Sequence, residues 1–334
     1  MTGEVAELAG PPPARLGDAL ADLGEPRVLR GLVADWPMVQ HAQASGDAAM
    51  DYLAGFDAGL PLQAWVAPPE QGGRFFYNQD LSGFNFRPER VAFAAVLDTL
   101  RRTAAAPAAP GIYVGSTTLQ TYFPGLLEDN PLDGLPPDTL GSIWLGNRSR
   151  IAAHHDAPDN LACVAAGRRR FTLFPPDQIG NLYIGPLDFT PAGQAISLVD
   201  FAAPDFERFP RFADALEAAR VVELDPGDAL FIPSLWWHHV EGLDTFNVLV
   251  NFWWRAEPAW REPPMNALMH ALISLRGLPA RQRQAWEALF QHYVFADDGA
   301  AAAHIPAHAR RLLGELDAGR VGEIREKLRQ RLGR

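Results

Sequence analysis

Residues 225–241 read DPGDALFIPSLWWHHVE. Pro226-Gly227-Asp228 is a turn signal, and the short apolar run Ala229–Ile232 that follows reads as a strand. Pro233 closes that strand, and Trp237-His238-His239-Val240 opens another. Successive side chains on a strand point to opposite faces. One of the two histidines therefore faces inward and the other outward, and the alternation alone leaves open which.

Working outward, the same texture extends over residues 112–254. Ile112-Tyr113-Val114, Ser142–Leu145, Leu161–Ala165, Arg170–Phe174 and Phe246–Trp254 are further strand candidates. Many short strands in one block, without strand–helix alternation, predict a sandwich or barrel. Before this block, Arg27-Val28-Leu29 reads as a strand, and 88–102 (PERVAFAAVLDTLRR) has helical spacing. The Ala/Pro-rich stretch 103–111 reads as a linker. After it, the prolines of 257–264 (EPAWREPP) break the pattern. Met265, Leu268, Met269, Leu272 and Leu275 then share one helical face, and Trp286, Leu289, Phe290 and Tyr293 another. A final charged helix is expected toward residue 334. The expected division is a flanking N-terminal segment (1–111), a β block (112–256) and a helical C-terminal region (257–334).

Composition narrows the function classes. The formal charge of the 334 residues is −11, which opposes the phosphate backbone and makes nucleic acid a poor default partner. A single cysteine, Cys163, rules out an internal disulfide framework and thiolate clusters, and points to a reducing, cytoplasmic setting. There is no apolar run of membrane-spanning length, and the first twenty residues lack the pattern of a secretion signal.

The chemistry centres on Ala153-His154-His155-Asp156. His154 and Asp156 are two apart and point to the same face of a strand. A His-x-Asp by itself is a weak signal, since core histidines bonded to carbonyls are commoner. The histidine pair some eighty residues later strengthens it. Two histidines and a carboxylate on one face of a metal leave positions open, the arrangement of non-haem iron(II) oxygenases. Zinc fits less well, because it prefers four ligands and has no redox chemistry. Asn247, Leu249, Asn251 and Trp253 alternate onto one face of their strand. Inward asparagines need partners, which a bound anion and its water shell would supply.

These stretches carry a family likeness. HHDAPDNLACVAAGRRRFTLFPPDQIGNLY (154–183), VDFAAPDFERFPRF (199–212), DPGDALFIPSLWWHHVE and NVLVNFWW (247–254), with PRVLRGLVADWP (26–37), resemble the JmjC or cupin-like branch of the 2-oxoglutarate oxygenases. Within that branch they look most like the asparaginyl hydroxylases acting on hypoxia-inducible factor. The resemblance covers about residues 25–255. It implies a double-stranded β-helix (jelly roll) and an enzyme using Fe(II), 2-oxoglutarate and O2 to hydroxylate a protein or peptide side chain or a small molecule, releasing succinate.

Carried over by position, the resemblance makes His154, Asp156 and His239 the metal ligands. Tyr113, Asn160, Arg169 and Asn251 become cosubstrate-binding residues, and Tyr77 and Trp253 walls of the substrate pocket. Arg169 stands where the family usually has lysine. Arginine keeps the charge but is longer and planar, so Arg168 or Arg170 is the alternative. Ile151 replaces a hydroxyl-bearing residue. Ala195 and Ile196 stand where the asparaginyl hydroxylases hold the target amide. That predicts an apolar or differently anchored target, or a small molecule, in place of asparagine in that pose. The resemblance also implies a homodimer through the C-terminal helices, with Leu268, Leu272, Trp286 and Phe290 as contacts. Two other functions compete: a non-catalytic metal-binding cupin-like protein, and a 2-oxoglutarate-independent cupin enzyme, which would need a further histidine turned inward.

Overall fold

The computed structural model describes residues 3–9, 15–297 and 299–333. The chain divides into two compact units, 1–255 and 256–334.

The first unit holds fourteen strands in chain order: β1 (Gly3–Glu4), β2 (Arg27–Leu29), β3 (Leu62–Ala67), β4 (Arg74–Phe75), β5 (Arg87–Val91), β6 (Gly111–Thr118), β7 (Leu140–Gly146), β8 (Ser149–His154), β9 (Asp159–Ala166), β10 (Arg169–Phe174), β11 (Arg220–Leu224), β12 (Ala229–Ile232), β13 (Trp237–Gly242) and β14 (Asn247–Trp254). They form a six-stranded sheet, β1-β11-β10-β13-β8-β4, and an eight-stranded sheet, β2-β12-β9-β14-β7-β6-β3-β5. From β7 to β14 the chain crosses repeatedly between the sheets, so sequence neighbours face each other across the core. This is the expected double-stranded β-helix. The N-terminal strands extend both sheets, with β2 pairing β12 and β3 pairing β6.

The eight-stranded sheet is covered on both faces. Ala162, Val164 and Leu249 point between the sheets and meet Phe171, Leu173 and Val240 of the other sheet. Leu161, Cys163, Val248, Val250 and Phe252 point the other way, onto Met38, Val39, Met50, Leu53, Leu97 and Leu100 from the N-terminal helices. A sheet buried on both faces reads as a nearly continuous apolar run, which accounts for NVLVNFWW. Each such side chain contributes about 1.5–3 kcal/mol when fully buried. Asn247 and Asn251 are therefore the exceptions to explain.

The reading of 88–102 needs one correction. Only Phe93–Thr103 is helical, and Arg87–Val91 is β5, an edge strand on β3. Its burial pattern shows no core face (half-buried or exposed throughout), so neither periodicity was visible there.

The second unit contains helices Pro264–Leu275, Ala280–Tyr293 and Ala318–Leu332, as the helical spacing predicts. No helix among the described residues is long and apolar enough to cross a membrane.

Two glycines allow close backbone approach. Gly167, at φ +65°, makes the β9–β10 turn, and a Cβ there would lie 2.4 Å from the Phe246 carbonyl oxygen. At Gly146 on β7 a Cβ would lie 2.1 Å from the Ile112 carbonyl oxygen on β6. Gly146→Ala should destabilise the first unit by about 1–3 kcal/mol through overpacking. Thermal unfolding checks this, and an unchanged midpoint would contradict the close β6–β7 contact.

Candidate metal centre

Strands β8 and β13 pair with His154 opposite His238, and the register slips by one residue between His238 and Val240. The extra residue lies on β8, where it bends the strand beside the site. Asp156 follows two residues after β8 ends. Its loop is pinned to the turn before β13: Leu235 N–H donates to the Asp156 carbonyl (2.9 Å), Ser234 N–H to Asp159 Oδ1 (2.9 Å), and the Ser234 hydroxyl to the Ala157 carbonyl (2.6 Å). Leu235 takes φ +66° to do so, a strained conformation for a non-glycine residue.

Ligand atoms of His154, Asp156 and His238 lie within 4.8 Å of one another. His238 Nε2 is 3.7 Å from Asp156 Oδ2. Each histidine directs Nδ1 to a carbonyl two residues earlier, His154 to Ala152 (2.9 Å) and His238 to Trp236 (3.0 Å). A carbonyl only accepts, so in each neutral ring the proton sits on Nδ1 and the Nε2 lone pair faces the cluster. Burial, with His154 close by, holds His238 down to about 4 against the opposing pull of Asp156, so its ring is neutral near pH 7. Asn160 donates to Asp156 Oδ2 at 3.3 Å and accepts from Asn251 Nδ2 at 2.6 Å.

The cluster opens into a cavity of about 280 Å3 between the sheets. Arg169 lines this cavity and is 1% exposed. Its guanidinium interacts electrostatically with the Tyr113 hydroxyl, its Nε has no partner, and no carboxylate pairs with it among the described residues. Burial lowers its pKa, opposed by Tyr113, and burial raises Tyr113 to about 12 although Arg169 acts to lower it. Arg168 instead pairs with Asp244 at 3.3 Å, and Arg170 with Glu223 at 2.6 Å and Glu241 at 3.4 Å. Of the three arginines, only Arg169 points into the barrel.

Over residues 13–259 the sequence matches the family described as cupin-like domain. The chain belongs to the cupin-like domain family. Among curated relatives of this cupin-like chain, JmjC domain-containing protein C of Dictyostelium discoideum is 32% identical over 44% of the chain and 36% of its own length. A lysine-specific demethylase of Arabidopsis thaliana is 34% identical over 36% of the chain and 22% of its own. The tRNA wybutosine-synthesizing protein 5 of Danio rerio is 35% identical over 42% of the chain and 41% of its own. The matches thus span less than half the length of these relatives.

Two of the expected site residues, His239 and Tyr77, lie away from the cluster and its cavity. His239 lies on the outer face of β13, its ring 4.5 Å from Phe201, and is not part of the cluster. Burial and nearby Arg150 push it down to about 3, opposed by Asp200. His238 takes the place expected of His239. The signal was present in the strand itself: Glu241 shares a face with His239, and it pairs with Arg170 on the outside. A carboxylate inside the barrel would be costly, so the face carrying Glu241 is the outer one. His155 also stays outside the cluster, its ring 4.7 Å from Trp237.

Tyr77 is not a wall of this cavity. It lines a neighbouring one and its hydroxyl donates to the Phe189 carbonyl. Asn247 is satisfied by the Asp244 carbonyl at 2.6 Å, so it waits for no ligand. Trp253, Asn160, Asn251, Tyr113 and Ile151 do line the cavity. Sequence reasoning missed Trp65, Trp144 and Gln194 there. Trp144 was available from alternation, since it stands opposite inward Leu249. Ile196 reaches the cavity as an apolar group, but Gln194 brings an amide two residues earlier, so the loop is not devoid of hydrogen-bonding side chains.

Metal titration of purified variants checks the centre. His154→Ala, Asp156→Ala and His238→Ala should each abolish tight divalent-metal binding, while His239→Ala should retain it. Loss on His239→Ala with retention on His238→Ala would reverse the assignment.

Proposed function

We propose that this cupin-like protein is an Fe(II)- and 2-oxoglutarate-dependent oxygenase that hydroxylates a protein or peptide side chain or a small molecule. The observation that carries the reading is Arg169, a cation buried in the same cavity as the His154–Asp156–His238 cluster and lacking a carboxylate partner among the described residues. A buried charge without a counter-ion is costly, and a dicarboxylate bound between the cluster and Arg169 removes that cost. Iron(II), when bound, supplies activation of O2 coupled to oxidative decarboxylation of 2-oxoglutarate to succinate. His154, Asp156 and His238 hold the metal through two neutral nitrogens and one carboxylate, the donor set suited to it. Asn160 orients Asp156, and Arg169 with Tyr113 grips the distal carboxylate through charge-assisted hydrogen bonds. The apolar walls, among them Phe171, Val240 and Leu249, exclude water.

The names of the relatives, a demethylase and a wybutosine-synthesizing protein, fit an oxygenase but leave the substrate open. A net charge of −11 argues against a nucleic-acid substrate. The 2-oxoglutarate-independent cupin reading loses support because neither His155 nor His239 joins the cluster. Fully buried Cys163 is compatible with a reducing, cytoplasmic setting.

We also propose a homodimer through the second unit. Its helices expose Leu268 (45%) and Trp286 (44%), while Leu272 and Phe290 are half-buried. Large apolar side chains left exposed on both helices favour association.

Succinate formation from 2-oxoglutarate, compared with and without O2 in the presence of iron(II), tests the activity. Oxygen-dependent succinate is expected, and its absence from metal-loaded protein would leave the non-catalytic binding reading. By calorimetry, Arg169→Ala should weaken 2-oxoglutarate binding at least tenfold (about 1.4 kcal/mol), with Arg168→Ala and Arg170→Ala close to wild type. Equal losses in all three would indicate a diffuse charge effect. For assembly, Leu268→Glu with Trp286→Glu should convert a dimer to a monomer in light scattering, whereas a dimer that survives the double substitution places the interface elsewhere.

A further inference from the structure

Trp144 is a cavity side chain with a buried polar atom that the metal cluster and its hydrogen bonds leave unpartnered. It stands on β7 opposite Leu249 and faces between the sheets. Its ring lies 5.9 Å from that of Tyr113, and 5.9 Å from Trp253 at a 90° interplanar angle. Its Nε1 is buried and has no hydrogen-bond partner. An indole N–H donates and never accepts, and buried tryptophans usually find an acceptor. The side chains packed with Trp144 on the six-stranded sheet include Ile151, which offers none.

The surroundings indicate where the acceptor comes from. Tyr113 touches Trp144 through its ring, and both share the cavity with Arg169, whose charge acts on the Tyr113 hydroxyl. The Tyr113 hydroxyl carries its own proton to donate. Arg169 Nε, the Tyr113 hydroxyl and Trp144 Nε1 are thus donors on three residues that line the same cavity. Trp253 Nε1 is also unpartnered. It stands opposite Asn160, however, whose amide bonds Asp156, so it belongs to the metal end.

We infer that Trp144 is a cosubstrate-binding residue whose indole N–H donates to the distal carboxylate of the 2-oxo dicarboxylate, alongside Arg169 and Tyr113. The inference rests on the proposed cosubstrate and adds a recognition element to it. A carboxylate has about four acceptor sites on two oxygens, enough for a guanidinium, a phenol and an indole together. Trp144 on β7, like Tyr113 on β6, comes from the sheet opposite Arg169, so both sheets grip the acid. Selection for a second carboxylate then depends on the separation of the two sheets as well as on one charge.

The test uses the full chain loaded with manganese(II), so that binding is read without turnover. 2-Oxoglutarate is compared with 2-oxobutyrate, which lacks the second carboxylate. Trp144→Phe keeps an aromatic ring against Tyr113 and Trp253 and deletes the donor. By calorimetry it should weaken 2-oxoglutarate about tenfold, roughly 1.4 kcal/mol, and leave 2-oxobutyrate within about twofold of wild type. Equal losses for both acids, or no loss for 2-oxoglutarate, would overturn the inference. Wild-type protein loaded with zinc(II) gives a readout independent of whether the variant folds: the Trp144 indole N–H resonance should move downfield with 2-oxoglutarate and not with 2-oxobutyrate. An unmoved resonance overturns the inference too. Failure of the cosubstrate reading itself looks different: wild type would then bind 2-oxoglutarate no better than 2-oxobutyrate, and Arg169→Ala would change neither.

Discussion

The pairing of His154 with His238 across β8 and β13 is the constraint on which the centre depends. It places two imidazoles at one level of the barrel, ring centroids 4.3 Å apart, and each ring is locked by a hydrogen bond to a backbone carbonyl. Asp156 needs no strand of its own, because the Ser234–Leu235 turn grips its loop from the β13 side. Both halves of the site thus hang on the same pair of strands. A one-residue slip in a ladder exchanges the faces of every side chain beyond it. The bulge therefore matters: the extra β8 residue lets Ile151 and His154, three apart, meet Val240 and His238, two apart.

The interior between the sheets is otherwise what hydrophobic burial produces, and its polar groups fall into two kinds. Asn247 and the Asn160–Asn251 pair are satisfied at least in part within the protein, and they fix the β14 end and Asp156. Arg169, Trp144 and Trp253 keep unpartnered donors. A buried unsatisfied polar group costs about 1–3 kcal/mol, comparable with what one buried Leu or Val contributes. Such a cost is sustainable here because the N-terminal helices cover the outer face of the eight-stranded sheet. The apolar surface they bury there helps offset the polar groups left between the two sheets.

The barrel was legible because turn residues and apolar runs of strand length recur from 112 to 254, and alternation in 247–254 assigned Leu249, Asn251 and Trp253 to the inner face correctly. The same rule separates His238 from His239, because Glu241 shares a face with His239 and pairs with Arg170 outside the barrel. The positional likeness favoured His239, and the strand's own charge pattern favoured His238. Tyr77 was not decidable in this way. Its cluster with Phe84 and Phe189 depends on the long insertion between β10 and β11, and no local periodicity sets the path of that segment. Gln194 belongs to the same insertion and was out of reach for the same reason. Arg169 lay between these cases. Three consecutive arginines alternate out, in, out, but which parity is inward follows only once Phe171 and Leu173 are recognised as core.

That alternation also explains why an arginine is workable at the barrel floor. Arg169 pairs with Gly242 on β13 and with Leu224 on β11. The Gly242 flank is closely packed by the Asn247 amide and the Ser149 hydroxyl, so the longer, planar guanidinium extends into the cavity it lines. Arg168 and Arg170, on the opposite face, meet acidic neighbours in solvent, where ion pairs are worth little. Three adjacent and chemically identical side chains thus differ in consequence because pleating gives one of them a dry environment and the other two water. In the dry position the charge has no carboxylate partner among the described residues and bears a desolvation cost, whereas in the wet positions the same charge is already balanced.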